Sequence, residues 1–503
     1  MARQVVVYDD FTGGEWGNLG PYEAKNNMWS GSNMLVYRTG ELGVRPGLKN
    51  MTPSGPAPAA GVVHGFGCQG VPGGDIWYIQ GTATRSFGTD TGVGGSALNT
   101  LTGALAEIPT SPVDVTTDTN QTIIASYTDK LYRINTVADT VTALTGSPGL
   151  RCVCLYGSFV VGGDVDGSLD NRLRFSDDAN PNSWTATNFI DFGDNWSIHA
   201  VFPQRQHLLV MKQAGNHIMT GFPGVNSVTR AQLNGPGVYH PLHAAIGPDD
   251  VVAYLPGDNT FPILHNGSTY KQMEHLDNHL VVGHSGDSFP PSHGVAQCNG
   301  INRGFYFFQT SGNKMIAYHN KVWSYHTFGV NISGYVSKQG HGSRVYICDG
   351  GAVGTAPKFY WWNPLVDTPG GITGETRPGD DSNTLLTGNF SLPEYWDKSG
   401  DEFYVRSVIV DFKTWNTGAD NTNHFDLYVQ AKNLYQQSAT VDSNTVSFDS
   451  AQASSSSSGT ERRQIFGFGE QGMGNGYQLH LTNIRGVAIK RITVVLDVRP
   501  VRA

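Results

Sequence analysis

The chain has few charged residues: Asp, Glu, Lys and Arg make up 15% of its 503 positions, where about 25% is typical of soluble domains. It also lacks an apolar run of the roughly 18 residues that a membrane-spanning helix needs. Its start, MARQVVVYDDF, contains no apolar signal-peptide core. We therefore expect a soluble protein that is made in the cytoplasm and has no membrane anchor.

Cysteine is scarce and unpatterned. The five thiols are Cys68, Cys152, Cys154, Cys298 and Cys348. None forms a CxxC pair, and an odd number does not suit a closed disulfide framework. Cys152 and Cys154 are two residues apart, so in a strand they share one face. The pattern indicates buried thiols that behave as small hydrophobic residues.

Basic clusters are absent too, and the net charge is −9 at pH 7. This balance argues against a surface that grips nucleic-acid phosphates, although a mildly negative wall would let DNA slide past. No G-x-S-x-G or P-loop motif occurs. We therefore predict a protein that is not an enzyme, with no catalytic residues, no cofactor and no metal.

Glycine and aromatic residues are abundant instead, with 63 glycines and 11% aromatics. Few charges with many glycines and aromatics are typical of short strands joined by tight turns. The best helix candidate is KQMEHLDNHL, at residues 271–280.

One unit recurs along the chain: an apolar strand, a Gly/Asn/Asp turn and a second apolar strand. The seven copies begin at Asp75, Thr122, Ser158, His207, Asp250, Gly304 and Arg344. Most are followed by a shorter strand such as TVTAL, SWTATNFIDF, STYKQME or KVWSYHTF. A spacing of roughly 40–50 residues suits the four-stranded blades of a propeller.

The sequence therefore predicts an all-β fold, with a β-propeller of about seven irregular blades over residues 61–380. Packed β-sandwiches without ring closure are the alternative. Residues 1–60 form a Gly/Asn/Trp-rich lead and linker that we expect to dock onto the propeller. Residues 381–503 hold long alternating strands and predict a β-sandwich or jelly roll, with the low-complexity stretch 451–460 as an exposed loop.

An acidic stretch, SDDANPNSW, resembles the Asp-box turn of some propellers. Ser176 and Asp178 fit that pattern, Asn180 takes the glycine place, and Trp184 sits one residue late. Such an aspartate accepts backbone N–H bonds, and asparagine tolerates left-handed φ. We interpret Asp177 and Asp178 as organisers of a turn rather than as a catalytic or metal site.

Two other patterns have a metal interpretation beside a structural one. In GGDVDGSLDN, Asp164, Asp166 and Asp170 are spaced like calcium ligands, but an exposed hairpin tip explains them equally well. In EHLDNHLVVGH, His275 and His279 have the i, i+4 spacing of zinc ligands and His284 lies nearby. With 16 histidines in the chain, such clusters are expected by chance.

Aromatic runs allow two interpretations as well. The runs are Tyr306, Phe307 and Phe308, and Tyr360, Trp361 and Trp362. Exposed rings of this kind stack on sugars, whereas alternating buried rings fill the space between blades. We favour the buried interpretation.

The lead segment carries a family resemblance. It reads DDFTGGEWGNLGPYEAKNNMWSGSNMLVYRTGELGVRPGLKNM, with the pattern N-M-x-V-x-x-T-G-x-L-G-x-R-P-G that ends at Arg45, Pro46 and Gly47. This pattern and the later RLRFSDDANPNSWTATNFIDFG resemble β-propeller tail proteins of bacteriophages over roughly residues 10–365. The most similar members are the tail nozzle (tail tubular) proteins of short-tailed phages.

The resemblance implies a structural virion protein of the tail, located in the virion after synthesis in the host. Six copies would form a homohexameric ring below the portal and adaptor, contact other tail proteins including fibres, and let DNA pass transiently during ejection. A carbohydrate-binding or glycan-degrading tail propeller, or a minor tail protein of a long-tailed phage, is the alternative. Interface candidates are Trp16, Trp29, Arg38, the turn from Asp178 to Trp184, and the loop 451–460.

Overall fold

A computed structural model gives the fold in strands and turns. The structure describes residues 2–15, 27–37, 40–45, 49–51, 53, 58–68, 75–88, 98–109, 113–118, 121–125, 130–165, 171–221, 228–233, 235–247, 250–256, 263–266, 270–272, 295–299, 303–308, 314–319, 321–328, 335–336, 345–349, 355–362, 388–396, 401–414, 424–432, 446–449, 461–468, 473–485 and 487–499. In these ranges nearly all regular structure is β.

The described residues of the lead segment form six strands. They are β1 (Ala2–Tyr8), β2 (Gly14–Glu15), β3 (Met28–Ser32), β4 (Met34–Val36), β5 (Leu42–Val44) and β6 (Lys49–Asn50).

Four-stranded antiparallel sheets follow in chain order. The first holds β7 (Val63–Cys68), β8 (Ile76–Gln80), β9 (Ala83–Phe87) and β10 (Asn99–Thr100), and the second holds β11 (Asp114–Asp118), β12 (Gln121–Ala125), β13 (Tyr132–Asn135) and β14 (Thr140–Ala143). The third holds β15 (Leu150–Tyr156), β16 (Phe159–Asp164), β17 (Arg172–Phe175) and β18 (Phe189–Asp191), and the fourth holds β19 (Ile198–Gln204), β20 (His207–Lys212), β21 (Gly215–Thr220) and β22 (Thr229–Leu233).

Three more sheets of this kind complete the series among the described residues. The fifth holds β23 (Ala244–Ile246), β24 (Val252–Tyr254), β25 (Ile263–His265) and β26 (Tyr270–Gln272), and the sixth holds β27 (Val295–Asn299), β28 (Arg303–Phe308), β29 (Lys314–His319) and β30 (Val322–Thr327). The seventh holds β31 (Tyr335–Val336), β32 (Val345–Cys348) and β33 (Phe359–Trp362), with β6 of the lead as its fourth strand.

Two seven-stranded sheets each contain strands from the start and from the end of the chain. The last strands are β34 (Gly388–Ser391), β35 (Tyr395–Trp396), β36 (Glu402–Thr414), β37 (His424–Lys432), β38 (Val446–Asp449), β39 (Glu461–Gly467), β40 (Met473–Gly474), β41 (Gly476–Arg485) and β42 (Val487–Arg499). One sheet has the order β39-β36-β42-β5-β4, with β1 on β42 and β40 on β36. The other has the order β2-β3-β34-β41-β37-β38, with β35 on β41.

The hairpins expected from the repeat lie where the sequence places them. Each of the seven supplies the two central strands of one four-stranded sheet, from β8–β9 to β32–β33. Apolar strand residues are buried and turn residues carry the positive φ, as at Gly81 (φ 61) and Gly157 (φ 60). This succession of small antiparallel sheets is typical of propeller-like all-β folds.

Hydrophobic clusters join each small sheet to the next one along the chain. One of them, containing Tyr78, Phe87 and Phe359, joins the first sheet to the seventh. A larger cluster lies between the two seven-stranded sheets and contains residues of both, including Trp29, Val408 and Leu481. Cys152 and Cys154 are buried in one cluster, which confirms the shared face expected from their spacing.

The lead segment joins the same sheets as the end of the chain. β1 pairs with β42 from Ala2↔Val498 to Tyr8↔Ile492, and β3 pairs with β34. The lead also contacts β30 of the sixth sheet. The sequence predicted docking of the lead onto the small sheets, but it did not predict this pairing with the last strands.

The expected helix at residues 271–280 was wrong at its start, because Lys271 and Gln272 lie in β26; the rest falls outside the described residues. These two residues are extended because β26 pairs with β25, where Gln272 lies opposite Ile263. Within the described ranges the only helix is the single 3-10 turn Pro241–His243, and no helix is long and apolar enough to span a membrane.

Candidate functional site

Asn33 ties the lead segment to the sixth sheet. Its backbone N–H donates to the Tyr325 carbonyl at 3.0 Å, and its side-chain Oδ1 accepts from the Thr327 N–H at 2.9 Å. Asn33 has φ 60, a left-handed conformation that asparagine tolerates better than most residues. This geometry explains why an asparagine precedes β4.

Arg45, the arginine of the R-P-G motif, completes this joint. Its side chain is buried; Nε donates to Asn33 Oδ1 at 3.2 Å and Nη2 donates to the Thr327 carbonyl at 2.6 Å. The guanidinium also lies 4.3 Å from the centre of the Phe328 ring, a cation–π arrangement. One planar cation therefore binds the lead segment to the end of β30. We call Asn33, Arg45, Thr327 and Phe328 the lead joint.

Two buried histidines lie beside the lead joint. His319 Nδ1 is 3.0 Å from the Tyr306 hydroxyl, and His326 Nε2 is 2.9 Å from the Ser324 hydroxyl. Burial lowers the pKa of His319 to about 4. Burial, with the nearby Arg45 charge, lowers the pKa of His326 well below its usual value. Both imidazoles are therefore neutral at pH 7.

The acidic stretch that begins at Ser176 is a turn built around Asp177. Its carboxylate accepts hydrogen bonds from the Ser183 hydroxyl, from Thr185 Oγ1 at 2.8 Å and from Asn188 Nδ2 at 2.7 Å. These hydrogen bonds lower the pKa of Asp177, and the bond from Ser183 has the largest effect. The second carboxylate, Asp178, accepts from the Ser158 hydroxyl. Both side chains hold the turn together.

Details of this turn differ from the expectation. The left-handed residue is Ala179, with φ 52, rather than Asn180. Asn180 instead caps the next turn, where its Oδ1 accepts from the Asn182 N–H at 3.2 Å. Trp184 packs against the cluster between the second and third sheets, and its Nε1 donates to the Pro181 carbonyl at 2.8 Å.

Of the candidate calcium ligands, Asp164 has another partner. Its buried carboxylate accepts from Arg174 Nε at 2.7 Å. Asp166 and Asp170 lie outside the described residues, as do the histidines at 275, 279 and 284. Within the described residues no group of three or more His, Cys, Asp or Glu side chains is placed to hold a metal ion.

The candidate aromatic residues are buried where they are described. Tyr306 and Trp362 are 0% exposed, and their rings pack edge to face with their centres 4.9 Å apart. Tyr360 and Trp361 are buried as well; the side chains of Phe307 and Phe308 are outside the described set. The rings fill the space between sheets rather than line a sugar site.

Trp29 does not offer an exposed surface to a neighbour. It is fully buried between the two seven-stranded sheets, and its Nε1 donates to the Phe11 carbonyl at 3.1 Å. The Trp29 side chain is therefore not available to contact a neighbouring protein, because it is packed inside this cluster. Trp16, Arg38 and the loop 451–460 lie outside the described residues.

The fourth sheet contains a buried lysine that the sequence did not predict. The Lys212 side chain is 1% exposed and pairs with Asp194. Its Nζ lies 4.8 Å from the centre of the Phe192 ring, and the Arg230 guanidinium lies 5.4 Å from the same centre. Burial lowers the pKa of Lys212, and Asp194 opposes that shift. These contacts fasten the segment after β18 onto the fourth sheet; no local pattern distinguishes Lys212 from a surface lysine.

Comparisons with known proteins add little to this geometry. No protein-family model matches the chain, and no curated protein matches it. Among 387 matching chains of solved structures is one titled "YCF48 bound to D1 peptide". It shares 10% sequence identity and a TM-score of 0.38, covering 63% of this chain and 96% of that chain. The resemblance to phage tail proteins stays a prediction.

Proposed function

We propose that the chain is a structural protein of a bacteriophage tail and forms a nozzle or collar ring through which DNA passes during ejection. The observation that carries the proposal is the position of the resemblance motif. Asn33 and Arg45, from the pattern that ends in R-P-G, are the residues that bind the lead segment to the sixth sheet. The motif therefore has a structural task in this chain that suits a tail component.

The proposed body of the ring subunit is a closed seven-bladed propeller. Two features support closure. Strand β6 pairs with β33 through Lys49↔Trp361 and Asn50↔Tyr360, so the lead supplies the last strand of the seventh sheet. The cluster around Phe359 joins that sheet to the first, with ring centres 5.8 Å from Phe66 and 4.9 Å from Tyr78. Closure of this kind leaves only short, protected edges.

The proposed second part is a β-sandwich of the two seven-stranded sheets. A single buried cluster between them supports this arrangement. The lead passes through both sheets and then enters the seventh small sheet. A subunit whose two parts are connected by strands of the lead and by the lead joint resists hinge motion, which suits a conduit under load.

The charge of the chain suits passage of DNA without adhesion. With a net charge of −9, a wall built from several copies repels phosphates rather than binding them. The Thr/Asn/Gly-rich turns lend themselves to polar contacts with other tail proteins.

Electron microscopy of the purified full-length chain tests the proposal. We expect closed rings with a central channel and one fixed copy number. A strictly monomeric chain that also fails to enter phage particles would contradict it. Binding to host glycans on an array, together with a monomeric state, would favour the carbohydrate-binding alternative.

A further inference from the structure

Strands β1 and β39 lie on the outer sides of the central strands β42 and β36 in one seven-stranded sheet; β5 and β4 extend from the other end of β42, and β40 lies beside the start of β36. Among the described strands, β1 pairs only with β42 and β39 pairs only with β36. Where β42 pairs with β1, from Ile492 to Val498, the order across the sheet is therefore β1, β42, β36, β39, and each pairing is antiparallel. An edge strand offers unpaired N–H and C=O groups to another strand.

A row of alternating charges crosses this sheet from edge to edge. Arg463 pairs with Asp411, Asp411 pairs with Arg491, and Arg491 contacts Asp9 at 3.6 Å. The row therefore runs positive, negative, positive, negative. It ends in a cation at the β39 edge and in an anion at the β1 edge, and both end side chains are more than half exposed.

The next row on the same face is mostly apolar. It runs from Ile465 through Ile409 and Thr493 to Val7. Ile465 is 59% exposed and Val7 is 44% exposed, and Val5 on the same face of β1 is 57% exposed. Exposed branched side chains at both edges of one sheet mark a surface that another strand can cover.

We propose that β1 of one copy pairs with β39 of the next copy, antiparallel, with Val7 opposite Ile465 and Asp9 opposite Arg463. The inference rests on the proposed ring and names its contact. In this register the charge row continues with its alternation intact, since the anion at one edge meets the cation at the other. The apolar row continues as well, and Val5 faces Gly467.

The strand directions are consistent with this contact. Three successive antiparallel steps make β1 antiparallel to β39, so a neighbour in the same orientation presents β39 in the required direction. The contact joins two different surfaces, which makes it heterologous. Heterologous contacts generate a ring where the rotation closes, and strand addition supplies affinity through main-chain hydrogen bonds.

Cysteine cross-linking of the full-length chain tests the register. In the double variant Val7→Cys/Ile465→Cys, the two thiols of one chain are separated by three strand spacings of about 4.8 Å each. A disulfide needs Cα atoms within about 7 Å, so any cross-link must join two copies. We expect oxidation to give a ladder of covalent multimers in steps of 54.3 kDa.

Three controls make the result specific. The single variants Val7→Cys and Ile465→Cys should give no ladder, because the contact joins unlike edges. The exposure-matched pair Val137→Cys/Ile465→Cys should give none either, since Val137 is 79% exposed but lies away from this sheet. A dimer from a single variant would show a like-edge contact and would overturn the proposal, as would an absent ladder in the double variant.

A charge at the apolar row provides a second measurement. Ile465→Asp should leave folding intact because the side chain is exposed, but it should weaken self-association by about tenfold or more, since the buried carboxylate would face Val7. Val137→Asp is the matched control and should not change association. Rings that persist in Ile465→Asp with unchanged affinity would overturn the edge contact while leaving the proposed ring in place.

Discussion

Arg45 and Thr327 are joined by a hydrogen bond of 2.6 Å from the guanidinium Nη2 to the backbone carbonyl. The two residues are 282 positions apart, and the bond links the lead segment to the last strand of the sixth sheet. Arg45 also donates to Asn33 and stacks on Phe328. The lead joint is therefore one of the long-range contacts that hold the lead segment against the small sheets; the pairing of β6 with β33 is another.

Replacing Arg45 should loosen this joint. Arg45→Ala removes the hydrogen bonds to Asn33 Oδ1 and to the Thr327 carbonyl, together with the contact on the Phe328 ring, so we expect a loss of about 2–4 kcal/mol of stability. Arg45→Lys should lower the stability less, because lysine keeps the positive charge although it lacks the planar set of guanidinium N–H donors. Urea unfolding followed by tryptophan fluorescence measures both.

Arg205→Ala is the control for this change. Arg205 is 70% exposed and lies 4.0 Å from Asp250, so its loss should change stability by less than about 1 kcal/mol. An Arg45→Ala protein as stable as the control would show that the joint contributes nothing.

Phe359 connects the seventh sheet to the first, and its loss should weaken the packing between these two sheets. The ring is fully buried and lies 4.9 Å from Tyr78 and 5.0 Å from Phe87 between ring centres. Phe359→Ala should cost about 3–5 kcal/mol, whereas Phe359→Leu should cost clearly less. Thermal unfolding compares them; equal midpoints for the alanine variant and the wild type would contradict the packing described.

Stability should fall as the pH is lowered through the histidine range. The folded pKa of His319 is about 4, below its ordinary value of 6.5. The unfolded chain therefore binds a proton between these values that the folded chain does not, and stability is lost as pH falls from about 6.5 to about 4. From the difference between these two pKa values, the stability lost through protonation of His319 is about 3 kcal/mol.

His319→Gln isolates that contribution. Glutamine keeps a polar partner for the Tyr306 hydroxyl but does not titrate, so the slope of stability against pH between 4 and 6.5 should flatten. Urea unfolding at several pH values measures the slope. An unchanged slope would contradict the account, because it would mean that His319 is not held in its neutral form by burial.

Calcium should not stabilise the chain. Asp164 is buried against Arg174 and has a cation already, so a chelator should leave the melting temperature unchanged. Arg174→Ala should instead destabilise the third sheet by about 3 kcal/mol, because it removes the ion-pair partner of a buried carboxylate. A melting temperature that falls in chelator and recovers with calcium would restore the calcium interpretation.

Local patterns predicted the parts of the fold that are locally encoded. The hairpin from Asp75 and the hairpin from His207 each combine apolar alternation with a turn, and both became central strand pairs. The burial of Trp362 also follows from its place in a short continuous apolar run, because all four residues of β33 are buried. These features depend on residues close together in the chain.

Pairing over long sequence distances could not be predicted in this way. Ala2 pairs with Val498, and Asn50 pairs with Tyr360, yet nothing in either short strand specifies its distant partner. The lead joint is similar, since Arg45 is recognisable as part of a motif but its acceptor Thr327 is not. The charge row became visible only once the register placed Asp9 and Arg463 at opposite edges.

Quantitative mass spectrometry of purified phage particles, counting this chain against the portal protein, tests the central claim most directly. The proposed ring predicts about six copies per particle. About three copies would indicate a fibre or spike hub instead, and complete absence of the chain from particles would contradict the proposed tail function.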